Sequence, residues 1–291
     1  MSRTLISILA GLGSMFGWGV SDFFASLSTD KVGHVRALFW SQLIGIVLIA
    51  SALVAVRPAF DLTPWLLLLV VISAVGHTIG YLHLYKAYEI GNASVVSVVI
   101  NFQAVLTMTV VFLLFGQRLS GWQIPGAALI IVGIMLVSVD FQELFARKNT
   151  FLLKGVKEAL IASVGFGIID WPITEYVVDH AHWLWAALLM KIVAISFVFL
   201  FATVYRKEPL ALPEGKDIKK VVMLVGILEA MAILSINFGL SVGDSILISP
   251  IANSVAIVTV TLAVIFLKEK ISKPQLIGII AAVVGIVMMA F

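Results

Sequence analysis

The sequence predicts an all-α integral membrane protein whose ten transmembrane helices form two inverted five-helix repeats. Three observations carry that expectation. Hydrophobic residues make up 61% of the chain and charged residues 12%, about half the charged share of a soluble protein; the mean hydropathy is +1.12. Apolar segments of membrane-crossing length follow one another with short connections, and lipid offers no partner to a free backbone group, so each must be helical. Finally, the stretch Gly91 to Gly133 recurs as Gly243 to Gly285 at a constant shift of 152 residues. The matches include Ser97/Ser249, Asn101/Asn253, Thr107/Thr259, Thr109/Thr261, Ser120/Ser272, Gln123/Gln275, Gly126/Gly278 and Gly133/Gly285. Apolar residues coincide by chance in such a background, but polar ones in one register mark a duplicated unit.

The same figures exclude other classes. No soluble domain of ordinary size fits beside ten spans in 291 residues. The formal charge of +3 comes from basic loops, which argues against a nucleic-acid partner. With no cysteine there is no disulfide, thiolate metal site or cysteine nucleophile.

The first segment, about Leu5 to Ser26, begins like a signal peptide after Arg3 but continues through Trp18 to Ala25, and is read as a mature span. The second runs from Val35 to Val56 and holds Gln42 in an apolar stretch. The third, Trp65 to Tyr85, places His77, Tyr81, Tyr85 and Tyr88 at helical spacing, a polar-aromatic stripe along one face. The fourth, Ala93 to Phe115, carries Ser97 and Asn101; the fifth, Gln123 to Val139, carries Gly126 and Gly133 two turns apart, a close-packing face. The polar stretch Gln142 to Lys157 then separates a first repeat, 1–145, from a second, 150–291, the two together forming one transport domain.

The sixth segment, Gly155 to Val178, repeats the first: Gly17-Trp-Gly-Val-Ser-Asp22 aligns with Gly165-Phe-Gly-Ile-Ile-Asp170. Pro172 removes the amide that would bond Ile168 and leaves polar backbone near Asp170, beside Trp171. The seventh, Leu184 to Tyr205, sets Lys191 where the second has Gln42, and the eighth, Val221 to Leu240, sets Glu229 where the third has His77. The ninth, Ser245 to Leu267, contains Ser249, Asn253 and Ser254, and the tenth, Pro274 to Phe291, contains Gly278 and Gly285. Because each repeat has an odd number of helices, the second must enter the membrane upside down, an arrangement that places a substrate site near the midplane between the halves.

The loops after the fifth, seventh and ninth segments hold most of the lysines and arginines, while those after the sixth and eighth hold none. The positive-inside rule makes these loops cytoplasmic and both termini external.

Taken together, the chain resembles the drug/metabolite transporter superfamily and, within it, the ten-helix EamA-type transporters. The resemblance covers essentially the whole sequence. Its carriers are the glycine-aromatic-glycine stretches of the first and sixth segments and the run Ala87-Tyr-Glu-Ile-Gly-Asn92-Ala entering the fourth. With them go Phe115-Gly-Gln-Arg-Leu-Ser120 and its mirror Leu267-Lys-Glu-Lys-Ile-Ser272. It implies a secondary transporter, often an exporter of metabolites, amino acids or drugs, with segments one, three, four, six, eight and nine around a central cavity and five and ten outside. It also implies cytoplasmic termini, opposite to the charge count, and topology stays open between them. Many relatives carry proline in both the fourth and ninth helices. Here Pro250 faces Val98, so a local break is expected only in the ninth.

A charge at a helix centre costs roughly 2.5 to 3.5 kcal/mol to insert, which makes Asp22, His77, Asp170, Glu175, Lys191 and Glu229 the first candidates. Glu229 leads them, for binding a substrate cation or carrying a proton. Lys191 has three readings: a partner for Asp170 or Glu229, a holder of a substrate carboxylate, or a snorkelling side chain. Asn101 and Asn253 serve either as interhelical glue or as cavity hydrogen-bonders. Trp18 and Trp171 serve as packing or as stacking surfaces for an organic group, and Tyr81 and Tyr85 belong to the stripe below His77.

The reading that results is a multi-pass plasma-membrane secondary active transporter, proton-coupled and working by alternating access. It would export a small polar metabolite such as an amino acid-like zwitterion. Export of organic cations or drugs is the alternative. An intramembrane enzyme or a non-transporting protein finds no motif: there is no HExxH, GxSxG or Walker loop, and no cofactor or metal is implied. The partners expected are the substrate, protons and lipid, with monomer and homodimer equally open.

Overall fold

The computed structural model describes residues 3–115, 121–138, 153–242, 248 and 251–289. Ser249, Pro250, Arg118, Ser120 and the basic residues Arg147 and Lys148 lie outside them. Among the described residues all regular secondary structure is helical. The helices are α1 (Arg3–Val32), α2 (His34–Val56), α3 (Pro64–Ile90), α4 (Ala93–Val99), α5 (Phe102–Phe115) and α6 (Gln123–Ser138). In the second half come α7 (Val156–Val164), α8 (Trp171–His180), α9 (Trp183–Leu200), α10 (Lys216–Val242), α11 (Val255–Leu262) and α12 (Lys273–Met289). A π-helical turn, Gly165–Asp170, joins α7 to α8, giving one apolar stretch from Val156 to His180. Among the described residues six helical stretches are long and apolar enough to cross a membrane, and four further apolar ones are 10–17 residues long.

The helices pack by a rule that relates the two halves. α1 lies along α10, and α3 lies along α7 with the π turn. α1 also packs on α11, as α5 packs on the π turn, and α6 packs along α12. The polar identities of the repeat explain these contacts. Thr107 donates to the carbonyl of Gly167 at 3.0 Å, and Thr259 donates to the carbonyl of Gly19, also at 3.0 Å. At the crossing of α6 and α12, a methyl group on Gly133 would lie 2.5 Å from the Gly278 carbonyl oxygen, and one on Gly285 would lie 2.6 Å from that of Gly126. Each glycine is thus needed for backbone approach by the other helix.

One expectation is corrected. The fourth segment breaks although it carries Val98 and no proline there: α4 ends at Val99 and α5 begins at Phe102. The amides of Asn101, Gln103 and Ala104 bond three residues back, to Val98, Ile100 and Asn101, a tightened turn. The freed carbonyls are met in part by that turn and in part by the Ser163 hydroxyl of α7, which lies 3.4 and 3.2 Å from the Val99 and Ile100 oxygens and shares its one proton with its own Ala159 carbonyl at 2.9 Å. In membrane helices such re-satisfaction is what makes a break tolerable.

Polarity is inverted relative to a soluble protein. Phe16, Val47, Val54, Leu68, Phe199 and Ile277 face outward, whereas Asp22, Gln42, His77, Asn101, Lys191 and Glu229 are buried. Of three apolar clusters in the interior, two lie toward its ends. One, around Val35, Leu38, Tyr85, Tyr88, Val96 and Ala159, lies toward the end where α1 meets α2. The other, around Leu62, Leu66, Val70, Val177, Met190 and Leu240, lies toward the opposite end.

Candidate substrate site

Between those clusters lies a two-lobed cavity whose lobes share Trp18, His77, Asp170 and Trp171. The first lobe, about 40 Å³, adds Thr174, Lys191, Asn237 and an apolar wall including Met190 and Ile236. The second, about 60 Å³, adds Asp22, Tyr81, Asn101, Gln103, Phe166 and Val255. By volume each has room for roughly three to five waters. The indoles of Trp18 and Trp171, 6.3 Å apart and tilted by 54°, stand in the wall common to both.

Asp170 is brought here by the π turn, at whose end it sits, and the turn arises where Pro172 offers no amide: the Trp171 amide bonds back to Phe166 instead. The result is a fixed carboxylate. His77 Nδ1 shares a 2.6 Å hydrogen bond with Oδ2, while Ser73 and Thr174 donate to Oδ1 at 2.7 and 3.1 Å. Ser73 precedes His77 by one helical turn and Thr174 follows Asp170 by one, so each flanks its partner on the same face. Held by Asp170 through Nδ1, the imidazole keeps Nε2 as a second nitrogen able to donate or accept a hydrogen bond. Its ring also packs on Tyr81, 4.7 Å between centroids, and on Phe166 at 5.7 Å.

Lys191 makes the second charged centre. Its Nζ donates to Gln42 Oε1 at 2.6 Å and to Glu229 Oε1 at 2.5 Å and also touches Glu229 Oε2, linking α9, α2 and α10. All three side chains are buried, but only Lys191 reaches the first lobe. The Glu229 carboxylate lies behind it. Of the two partners weighed for Lys191, Glu229 is the one it meets. Asp22, the repeat counterpart of Asp170, accepts a 3.0 Å hydrogen bond from Tyr88. Tyr85 packs below the cavity with its hydroxyl 3.4 Å from Ser41.

Eight of the eleven residues singled out from the sequence thus line one lobe or both: Trp18, Asp22, His77, Tyr81, Asn101, Asp170, Trp171 and Lys191. Glu229, Tyr85 and Asn253 line neither lobe. Glu229 acts through Lys191, and Asn253 accepts a 3.0 Å hydrogen bond from Gln103, which does reach the second lobe. Sequence reasoning missed Ser73, Thr174, Gln103, Phe166 and Asn237. The signal for the first two was one-turn spacing from an ionisable residue; for Asn237 it was the 152-residue shift from Tyr85.

The walls also hold polar atoms that no described residue satisfies. Trp18 Nε1, Asn237 Nδ2 and both amide atoms of Asn101 are buried without a hydrogen-bond partner. Each such group costs about 1–3 kcal/mol when left unmet; among the described residues Arg36 Nε, Gln42 Nε2 and Ser94 Oγ, away from both lobes, are also unpaired.

Comparison with known proteins gives the fold and the family. A solved crystal structure superposes over 97% of this chain and 95% of its own with a TM-score of 0.69, at 16% identity, which shows a shared fold. An uncharacterised protein of Methanocaldococcus jannaschii is 32% identical over 137 residues, 46% of this chain and 97% of that protein, so the relative has the length of a single repeat. The sequence model of the EamA-like transporter family matches twice, at residues 5–139 and 153–291. The protein is therefore a multi-pass membrane protein of transporter type, and the chain belongs to the EamA-like transporter family.

Proposed function

We propose that the protein is a proton-coupled secondary active transporter that exports a small amino acid-like zwitterion across the plasma membrane by alternating access. Its ten helices act as two inverted repeats, 1–145 and 150–291. The observation that carries this reading is the acid-base pair His77–Asp170 in the wall shared by both lobes. A proton taken by this pair changes the charge seen from either lobe, which is what coupling requires. Lys191 is the carboxylate holder. Its ammonium lies at the first lobe while Glu229 and Gln42 restrain it from behind, so an entering carboxylate shares a cation that is already in place. The substrate ammonium goes to Asp22 and Asp170, beside the indoles. Lobes of a few water volumes fit a small molecule, and the two apolar clusters serve as the gates.

A second reading, export of organic cations, is favoured by the carboxylates of Asp22 and Asp170 among Trp18, Trp171, Tyr81 and Phe166. The double variant Lys191→Met/Glu229→Gln separates the two because it removes the ammonium without stranding its partner. In liposomes, counterflow of labelled L-glutamine or L-norleucine stops in this variant if Lys191 holds the carboxylate. Export of tetraphenylphosphonium with unchanged efficiency, and no zwitterion counterflow by the wild type, establishes the cation reading instead.

A further inference from the structure

The two asparagines of the repeat have opposite fates. Asn253 Oδ1 receives a 3.0 Å hydrogen bond from Gln103 Nε2, across from the second half to the first. The same rule applied to Asn101 places its partner at the repeat counterpart of Gln103, which is Val255. The Thr107–Gly167 and Thr259–Gly19 bonds show that this register holds in space and not only in sequence. Valine has nothing to donate. Asn101 is 1% exposed, and both its amide oxygen and its amide nitrogen lack a partner among the described residues, so exchanging the two atoms repairs nothing. Both Asn101 and Val255 line the second lobe.

We propose that the unpaired amide of Asn101 is a specificity-determining contact that recognises a neutral donor-acceptor group, a carboxamide or ureido function, on the transported molecule. This rests on the substrate-cavity reading above and narrows it. An amide presents one acceptor beside one donor, and the complement is a group carrying both in the same plane. A bare carboxylate offers only acceptors, and an alkyl chain offers neither. Asp22 in the same lobe adds to the rejection of an anionic side chain. The substrate that satisfies the site is an amino acid-like zwitterion with an amide at its far end. An analogue without that group leaves Asn101 as it stands, and a site built to meet a polar group discriminates strongly against the analogue that lacks it.

The test uses the purified full chain and four ligands of similar length. L-glutamine and L-citrulline carry the amide and ureido groups, L-glutamate the charged counterpart and L-norleucine the apolar one. Binding is read by thermal shift and by competition with labelled L-glutamine. The wild type is expected to favour glutamine and citrulline over norleucine and glutamate by at least about tenfold. Asn101→Leu is expected to bring glutamine and norleucine within about twofold of each other while norleucine binding persists. Val255→Gln gives Asn101 the partner that Asn253 already has. This variant is expected to unfold at a higher temperature without ligand and to lose the amide preference. A glutamine preference that survives Asn101→Leu overturns the proposal, as does a wild type that binds norleucine as well as glutamine. If Val255→Gln does not fold, the Asn101→Leu ratio decides alone. Absence of binding by all four ligands to folded wild type is a different result: it removes the zwitterion reading itself, and this inference with it.

Discussion

Lys191 and Glu229 meet where two helices and a glutamine from a third converge, and their burial sets what each substitution costs. Removing one member of a buried pair strands the other, at about 3–5 kcal/mol. Lys191→Met is therefore expected to lower the unfolding temperature in detergent strongly, and Lys191→Met/Glu229→Gln to recover most of the loss. Equal destabilisation by the single and double variants contradicts the pairing. The candidates themselves were legible in sequence because intramembrane charges are costly and few. Their partners were not. The repeat register set His77 and Glu229 in corresponding places, and corresponding residues sit apart, one in each half. Contact follows the packing rule instead, which brings α3 against the π turn and α10 against α1. His77 thereby reaches Asp170. The equivalent meeting of Glu229 with Asp22 would join two carboxylates, and each has turned to another partner: Glu229 to Lys191, Asp22 to Tyr88.

At the scale of elements, the repeat explains its own conserved register through paired contacts. Thr107→Val and Thr259→Val each remove one equivalent hydrogen bond to a glycine carbonyl, at a cost of about 0.5–1.5 kcal/mol each. Similar losses in unfolding free energy, adding in the double variant, are the expected outcome. A loss at one site alone contradicts equivalence. The α6–α12 crossing is less forgiving, because the neighbour of Gly133 is backbone that has no room to withdraw. Gly133→Leu is expected to separate these helices and lower the unfolding temperature more than either threonine variant. Helix positions, the Gly126/Gly133 and Gly278/Gly285 faces and the polar character of the Asp170 region were all legible, since each depends on composition or local spacing. The break at Asn101 was not, because the hydroxyl packed against it, that of Ser163, comes from 62 positions away in sequence. No local signal in the fourth segment announces it.

At the scale of the molecule, two apolar clusters flank one cavity, and alternating access requires that they open in turn. The chain has no cysteine, so a single introduced thiol reports on one gate without background. Tyr88→Cys and Leu240→Cys mark the two clusters. Addition of a transported zwitterion is expected to change their reactivity toward a water-soluble maleimide in opposite directions. Changes in the same direction contradict reciprocal gating. The central claim is that substrate movement and the protonation of His77–Asp170 are one event, and proton flux tests it directly. Liposomes containing the protein and a trapped pH indicator are exposed to L-glutamine, with labelled counterflow measured in parallel. The account predicts a substrate-dependent proton movement that Asp170→Asn abolishes while exchange of labelled substrate continues at weaker affinity, the substrate ammonium being held by Asp22 alone. Counterflow by the wild type without any proton movement, or proton movement unchanged in Asp170→Asn, would contradict it.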